Sequence, residues 1–535
     1  MNPSTDAARM EQLVTTMSNR IATITHALGT WVQDAPRDLQ QIEQHVLRLV
    51  KDLGATLVAS LCTLVAPVHP SLTVPCPCGQ TARYQRQRPA TVTTILGPIT
   101  FQRPYYLCAA CGHGQHPLDA QLQLCAGSRS AGLDELLALL GATQDSFAEA
   151  ASVLERLTLV HVSPNSVRTA TETLGATLLA QQQHGVAHAR DGHDLPQPTT
   201  PSPNRLYITM DGVLAHLHER GWSEVKVGCC FQTRSRPERK RPEQLELRAH
   251  SLSYVTALVE AETFGWHLWQ EAVRCGVLSA AEVVVLGDGA HWIWKVAELH
   301  FPQATQILDW YHASEYLWEA ASAVWGETQP QREAWAHQQL GALWEGKVDQ
   351  VLMELARHEA CGKGVTAALT YYTTHRGRMD YAAYRARGLQ LGSGSVESAC
   401  KQLVSARLKQ AGMIWDATGA EEVAVVRAWL KSERWQEAMA LRAAPQRSYQ
   451  RQRARPEAGE DTPLCRGERV GEAAPVSAVA TVPPRREVSP EMLARVRAEM
   501  AQEKRTHPWR KAWSVKQQRQ QQSGQASRAN PALAA

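Results

Sequence analysis

From Arg205 onward the chain alternates short β-rich runs with helix-compatible ones, and two of the β-rich runs end in Asp-Gly. RLYITM leads into Asp211, and SEVKVGCCFQ and QLELRAHSLSYV flank a charged loop, TRSRPERKRPE. Thr256 to Arg274 reads as a helix and EVVVLGD as a buried strand ending at Asp288. HWIWKVAELH reads as another helix, and ATQILD as a strand ending at Asp309. Three strands, helix, strand, helix, strand specify a mixed α/β sheet, which presents ligands at the C-terminal ends of its strands. Acidic residues stand at three of those ends.

His312 to about Arg385 carries helix formers and no strand signal, and a Gly/Ser turn (GLQLGSGS) then precedes a helix near Val396. The layout is that of a ribonuclease-H-like core at 205–440 with a helical insertion at about 313–388. A lone Asp-Gly is usually only a turn. Two strand-end aspartates followed by Glu397 after an inserted helical block are more specific. Each aspartate precedes a glycine, which is expected to turn the backbone away and leave the carboxylate in the open. Three carboxylates, Asp211, Asp288 and Glu397, suit Mg²⁺ (or Mn²⁺), a hard ion that prefers oxygen ligands, and a pair of ions about 3.5–4 Å apart suits phosphodiester chemistry. Glu315 and Glu345 lie in the same interval. Glu397 is preferred because the 392–395 turn can bring a helix start to the strand ends, where the helix dipole keeps a first-turn carboxylate ionised. Lys401 and Arg407 are expected further along that helix, near incoming phosphates.

A second constellation lies upstream: Cys76-x-Cys78 and Cys108-x-x-Cys111, each pair followed by Gly, around the β-rich run TVTTILGPITFQRPYYL. This is the pattern of a small zinc ribbon at 75–119, with tight turns aiming thiolates at one Zn²⁺. The one-residue gap in the first pair departs from the usual two, and His113 or His116 stands ready as a substitute ligand. The remaining eight cysteines read as core residues. So modest and scattered a cysteine content argues for a reducing compartment, not a disulfide framework.

Residues 1–70 read as a helical region, with Ile42, Val46, Leu49, Val50 and Leu53 on one face. At 128–189 a helix-turn-helix-like segment is expected, with Ser163 as cap and Pro164 at the first helical position. Its second helix would offer Asn165, Ser166 and Arg168 to DNA, and a purely structural helix pair fits equally well. Residues 190–204 are a Pro/Thr/Ser linker. From Leu441 on, 18 basic and 9 acidic residues leave a net +9 within a total of only +4, so 441–535 is expected to be a largely disordered basic tail. Arg83, Arg86, Arg88 and Arg103, and the run from Arg234 to Arg241, are further candidates for phosphate contact. Trp292 and Trp415 flank the acidic residues and are candidates for contact with bases. No run reaches the ~18 apolar residues of a membrane span, and no signal sequence is apparent, so a cytoplasmic location is expected.

The segments LYITMDG, VLGDGAHWIWKVAELHFP, ILDWYHASEYLW, LGSGSVESACKQLVSARLKQAGMIW and VRAWLKSERW resemble the DDE transposases of the ISKra group of bacterial insertion sequences, relatives of Mutator-type enzymes. The resemblance runs from about Leu206 to Trp435. It implies that Asp211, Asp288 and Glu397 hold the catalytic metal, and that Asp309 and His312 form the family's accessory Asp-x-x-His element. It further implies binding to terminal inverted repeats and target DNA, strand cleavage and strand transfer, and a homo-oligomer on DNA. A metal-dependent nuclease that does not join, a non-catalytic DNA-binding descendant and a zinc scaffold are the rival readings.

Overall fold

The computed structural model describes residues 3–33, 38–66, 70–124, 129–191, 202–239, 245–442 and 449–450. It divides into two compact units, one built on Met1–Ser130 and the other on Ala131–Ala443. Residues 451–535, most of the expected tail, and 192–201 of the expected linker lie outside the described residues. Among the described residues no helix is long and apolar enough to cross a membrane.

The first unit opens with two long helices, α1 (Pro3–Gln33) and α2 (Leu39–Val65). A capping box starts α2: the Asp38 carboxylate accepts the Gln41 N–H, and the Gln41 side chain accepts the Asp38 N–H. An antiparallel sheet follows in the order β1 (Thr73–Pro75), β2 (Thr81–Thr94), β3 (Gly97–Cys108), β4 (His113–Gln115), edged by Tyr449–Gln450; a short α3 (Pro117–Gln121) follows β4. Alternate residues of the β2–β3 hairpin, Ala90, Val92, Ile99 and Phe101, pack against Ala55, Val58 and Ala59 of α2. The helical region and the cysteine-bearing sheet therefore share one core instead of forming separate modules.

The second unit begins with α4 (Ala131–Thr143), α5 (Phe147–Thr158) and α6 (Pro164–Asp191). Its sheet has an antiparallel meander, β5 (Arg205–Leu217), β6 (Gly221–Pro237) and β7 (Leu245–Ala257). After α7 (Ala261–Arg274), β8 (Glu282–Gly287) pairs parallel to β5; after α8 (His291–His300), β9 (Thr305–Leu308) pairs parallel to β8. The spatial order is β7-β6-β5-β8-β9. A helical block then runs through α9 (Trp310–Trp325), α10 (Pro330–Trp344), α11 (Val348–Arg357), α12 (Lys363–His375) and α13 (Tyr381–Ala386).

The chain returns to the sheet through α14 (Gly394–Ala399), a π-helical stretch at Cys400–Ser405 and α15 (Ala406–Leu408), followed by α16 (Ala417–Lys431) and α17 (Trp435–Leu441). Val396, Ala399, Leu403 and Val404 pack on Ala215, Leu217, Val225 and Val227 of β5 and β6. That contact fixes the start of α14 above the sheet. A separate core joins Ala138 and Ala142 of α4, Leu174 and Leu178 of α6, and Val425, Val426 and Trp429 of α16. Because the helices after 130 share this core with α16, they are part of the same unit as the sheet, not a free-standing module.

Candidate functional site

The parallel ladder between β5 and β8 sets the geometry of the acidic residues. Its last pair is Thr209 with Leu286. Two residues further along each strand stand Asp211 and Asp288, so the two carboxylates come off adjacent parallel strands at the same level. Asp211 does not end its strand. β5 continues to Leu217, with Asp211 opposite Val227 and Gly212 opposite Lys226 on β6. Gly212 therefore makes no turn, and Asp211 is left open because β8 stops where β5 goes on. Gly289, after Asp288, does turn the chain, at φ +106°, and a Cβ there would lie 2.5 Å from the Tyr371 ring. The Asp288 carboxylate accepts the Ala290 N–H at 2.9 Å, while its main-chain carbonyl accepts the Tyr371 hydroxyl at 2.5 Å. Tyr371 is in turn stacked on Tyr316, with ring centroids 3.9 Å apart.

Burial raises the Asp211 carboxyl above its ordinary value, and the nearby Asp288 charge adds to that; the Gly212 N–H, at 2.7 Å, pulls the other way. The Cys400 thiol donates to the second Asp211 oxygen at 3.7 Å. Burial pushes that thiol well up, and the charges of Asp211, Glu397 and Asp288 all reinforce the shift. The Cys400 thiol thus touches Asp211 and lies within the field of Glu397 and Asp288. It lies three residues after Glu397, on the same helical face, a spacing legible in VESAC; its partnership with Asp211 needed the fold.

Asp309 caps α9 and is fully buried. One of its oxygens accepts the His312 N–H at 2.8 Å and faces His312 Nδ1 at 3.1 Å; the other accepts the Ser393 N–H. Burial alone would raise its carboxyl, but the hydrogen bonds from His312 and Ser393 outweigh burial and hold it low. His312 is pushed up to about 9, chiefly by its bond to Asp309. Ser393 Oγ donates to Glu397 Oε1 at 3.3 Å, and Trp310 N–H donates to Leu391 O at 3.0 Å. The turn that carries Glu397 is tied by these bonds to the end of β9.

Among the described residues two groups of His, Cys, Asp or Glu bring their ligand atoms within 4.8 Å of one another: Cys76, Cys78, Cys108 and Cys111, and Asp309, His312 and Glu397. Asp211, Asp288 and Glu397 are not so tightly drawn together. The second group is a hydrogen-bonded support and not a ligand set. Asp309 has no exposed surface, and both of its oxygens are taken by His312 and Ser393. Asp211, Asp288 and Glu397 are all half-exposed. Of the alternative acids, Glu345 is exposed and paired with Lys347 at 2.6 Å.

In the first unit Cys76 and Cys111 lie 3.6 Å apart at sulfur, and Cys78 and Cys108 3.7 Å. A tetrahedral ion with metal–sulfur bonds of about 2.3 Å requires sulfurs about 3.8 Å apart. The four-cysteine cluster can therefore hold a metal such as zinc. Gly79 (φ +83°) and Gly112 (φ +71°) supply the left-handed turns that follow each pair, with Gly79 N–H donating to Cys76 O and Gly112 N–H to Cys108 O. Main-chain N–H groups of Cys111 and Ala110 bring the Cys108 thiol down to about 7 despite its burial. No histidine is needed as a ligand. His116 is buried, with Nδ1 on Pro104 O at 3.0 Å.

Several expected DNA contacts are corrected. Arg407 is 1% exposed, its guanidinium over Phe147 and Trp415 and its Nε–H on Gly141 O. The π-helical stretch between Glu397 and Arg407 breaks the α-helical register and turns this side chain inward, so Arg407 holds α4 and cannot meet a phosphate. Trp415 is buried in the same cluster. Arg103 is buried in an ion pair with Asp119. Lys401 is exposed. At the start of α6, Ser163 does cap the helix, accepting the Ser166 N–H at 3.2 Å. Asn165 is exposed and Ser166 half-buried, while Arg168 is engaged by Glu172 at 2.7 Å and Asp416 at 3.0 Å. Lys240 and Arg241 lie outside the described residues.

The family model described as Uncharacterised protein family (UPF0236) matches residues 37–439 of the 535, and the chain belongs to that family. No curated protein matches the chain.

Proposed function

We propose that this chain is a DNA transposase of the DDE type, cutting a DNA strand at the ends of its element and joining the freed 3′ end to target DNA. The observation that carries the reading is the register of β5 and β8, which sets Asp211 beside Asp288, with Glu397 one helical turn from the Cys400 that touches Asp211. The order β7-β6-β5-β8-β9, antiparallel on one side of β5 and parallel on the other, supports a ribonuclease-H-like core. Asp211, Asp288 and Glu397 would hold Mg²⁺ or Mn²⁺, which when bound supplies charge stabilisation and activation of an attacking oxygen. The chain's own work is to hold three carboxylates in place. The Cys400 thiol holds one Asp211 oxygen, the Asp288 turn is locked by Tyr371, and Asp309 with Ser393 holds the Glu397 turn.

The cysteine cluster is read as a zinc ribbon, with exposed basic residues such as Arg83 and Arg86 on β2 available to phosphates. Partners in this reading are terminal-repeat DNA and target DNA. The test is a strand-transfer assay: full-length chain, Mg²⁺, and DNA bearing the ends that flank its own coding region. Joined product is expected. Cleavage without joining would make the protein a nuclease, and neither would refute the reading.

A further inference from the structure

The first unit exposes an apolar surface that the second-unit chemistry does not use. α1 carries Met10, Val14, Met17, Ile21, Ile24 and Leu28, alternating at four and three residues, the spacing of a coiled-coil seam. Yet among its described side chains α1 contributes none to the core, and Met10, Val14 and Ile21 stay about half-exposed, at 52%, 58% and 50%. In α2 the sole buried side chain is Lys51, whose ammonium donates to Ile95 O at 3.0 Å. Val46, Val50, Leu57 and Leu61 remain exposed along α2. Helices of this kind are stable in water only when an apolar face is packed against something.

We infer that this hairpin is a self-association surface, with α1 and α2 packing against the same two helices of a second copy. Three observations select that partner. Part of the hairpin's charge is spent internally: Arg20 pairs with Asp52, and Arg9 donates to the carbonyls of Thr63 and Ala66 at the end of α2. Between the remaining exposed polar residues each helix keeps an outward apolar stripe, Met10, Val14 and Ile21 on α1 and Val46, Val50, Leu57 and Leu61 on α2. The two helices carry Asp6, Glu11, Glu43 and Asp52 against Arg9, Arg20, Arg48 and Lys51, a balanced set that neither repels its own copy nor offers the cationic face that DNA or an anionic membrane surface needs. Finally, eleven large apolar side chains on α1 and α2 are exposed. Covering them fully, with the polar residues between them, yields an area on the order of the roughly 800 Å² per partner of a standard interface. A two-fold pairing is self-complementary, because each copy supplies the same seam.

The test is sedimentation of the zinc-loaded full chain without DNA, from nanomolar to micromolar concentration. A dimer is expected for the parent chain. Val14→Glu with Ile21→Glu should weaken it at least tenfold, while Trp222→Glu, an exposed site in the other unit, should leave it intact. Unchanged zinc content would show that the first unit is still folded. Should the glutamates lower the zinc content, Val14→Ser with Ile21→Ser is measured instead, with the same expected loss. A monomeric parent chain, a dimer indifferent to the hairpin substitutions, or one broken by Trp222→Glu alone would each overturn the assignment.

Discussion

The cysteine cluster of the first unit is built between Cys76 and Cys111 by two glycine turns on one antiparallel sheet, whereas the acidic cluster of the second is assembled from strands and a helix scattered between Asp211 and Glu397. The small core around the cysteines is Ala82 and Tyr106 with two of the cysteines themselves. A cluster with so little apolar support would gain order from a metal bound there. The carboxylates instead sit on a sheet whose core, from Leu206 through Ile307 and Leu317, exists without any ion. The first site is a set of thiolates that could hold a metal on a small core, and the second a set of carboxylates on a sheet that packs by itself. Spacing in the sequence encodes the first kind directly; the second kind is encoded in strand register, which spacing conveys only by accident.

Substitutions at the two sites should therefore fail in different ways. The largest effect belongs to Glu397→Gln, which keeps shape but removes charge. It should lower strand cleavage by orders of magnitude, as for loss of a metal ligand, and leave the melting curve and terminal-repeat binding unmoved. Glu345→Gln should cleave normally, and the reverse pattern in a cleavage assay would assign the acid to Glu345, just past the end of α10. Next, Cys108→Ser with Cys111→Ser should remove one zinc per chain by elemental analysis and unfold the first unit, read as loss of one of two melting transitions. A chain that kept its zinc would dispose of the cluster. Smaller again is Ser393→Ala, which takes the hydroxyl from Glu397 while leaving the Ser393 N–H on Asp309. A roughly tenfold rise in the Mg²⁺ needed for half-maximal cleavage is expected, with Ser393→Thr restoring it. Equal behaviour of the two variants would reduce Ser393 to a simple cap.

The smallest effect concerns pH. His267 in the second unit is held down to about 4 by burial, with the Arg190 charge adding to it. Its folded value lies below the unfolded value of about 6.5, so its contribution is complete above that pH and is lost as pH falls toward 4. With zinc chelated, urea titration of the second unit should show stability dropping by on the order of 1–3 kcal/mol between pH 7 and pH 4. His267→Gln should flatten that slope; an identical slope would place the acid-sensitive group elsewhere.

The alternation of apolar strands with helices and the four cysteines were readable from residue order, because periodicity and short turns are local. Asp211, Asp288 and Glu397 were readable as candidates, but the place of Asp211 was not. A glycine after an aspartate looks like a turn, and only the antiparallel partner β6 keeps Gly212 in the strand. The inward rotation of Arg407 was equally hidden, since a π-helical stretch leaves no mark in composition. Tyr371 and Ser393 reach the site from α12 and from a turn, through contacts that no spacing rule joins to Asp288 or Glu397. The shared cores of α2 with β3, and of α6 with α16, likewise depend on packing between segments that sequence alone reads as separate.

The central claim is that carboxylates from three separate segments form one cation site on a prefolded sheet. Its most direct test is Mn²⁺ titration of the zinc-loaded full chain followed by electron paramagnetic resonance, without DNA. The account predicts saturable Mn²⁺ binding that is lost in Asp211→Asn, Asp288→Asn and Glu397→Gln alike, while Asp309→Asn retains binding at lower affinity. Mn²⁺ binding that survives all three substitutions and disappears with Asp309→Asn would contradict it, moving the site to Asp309 and His312.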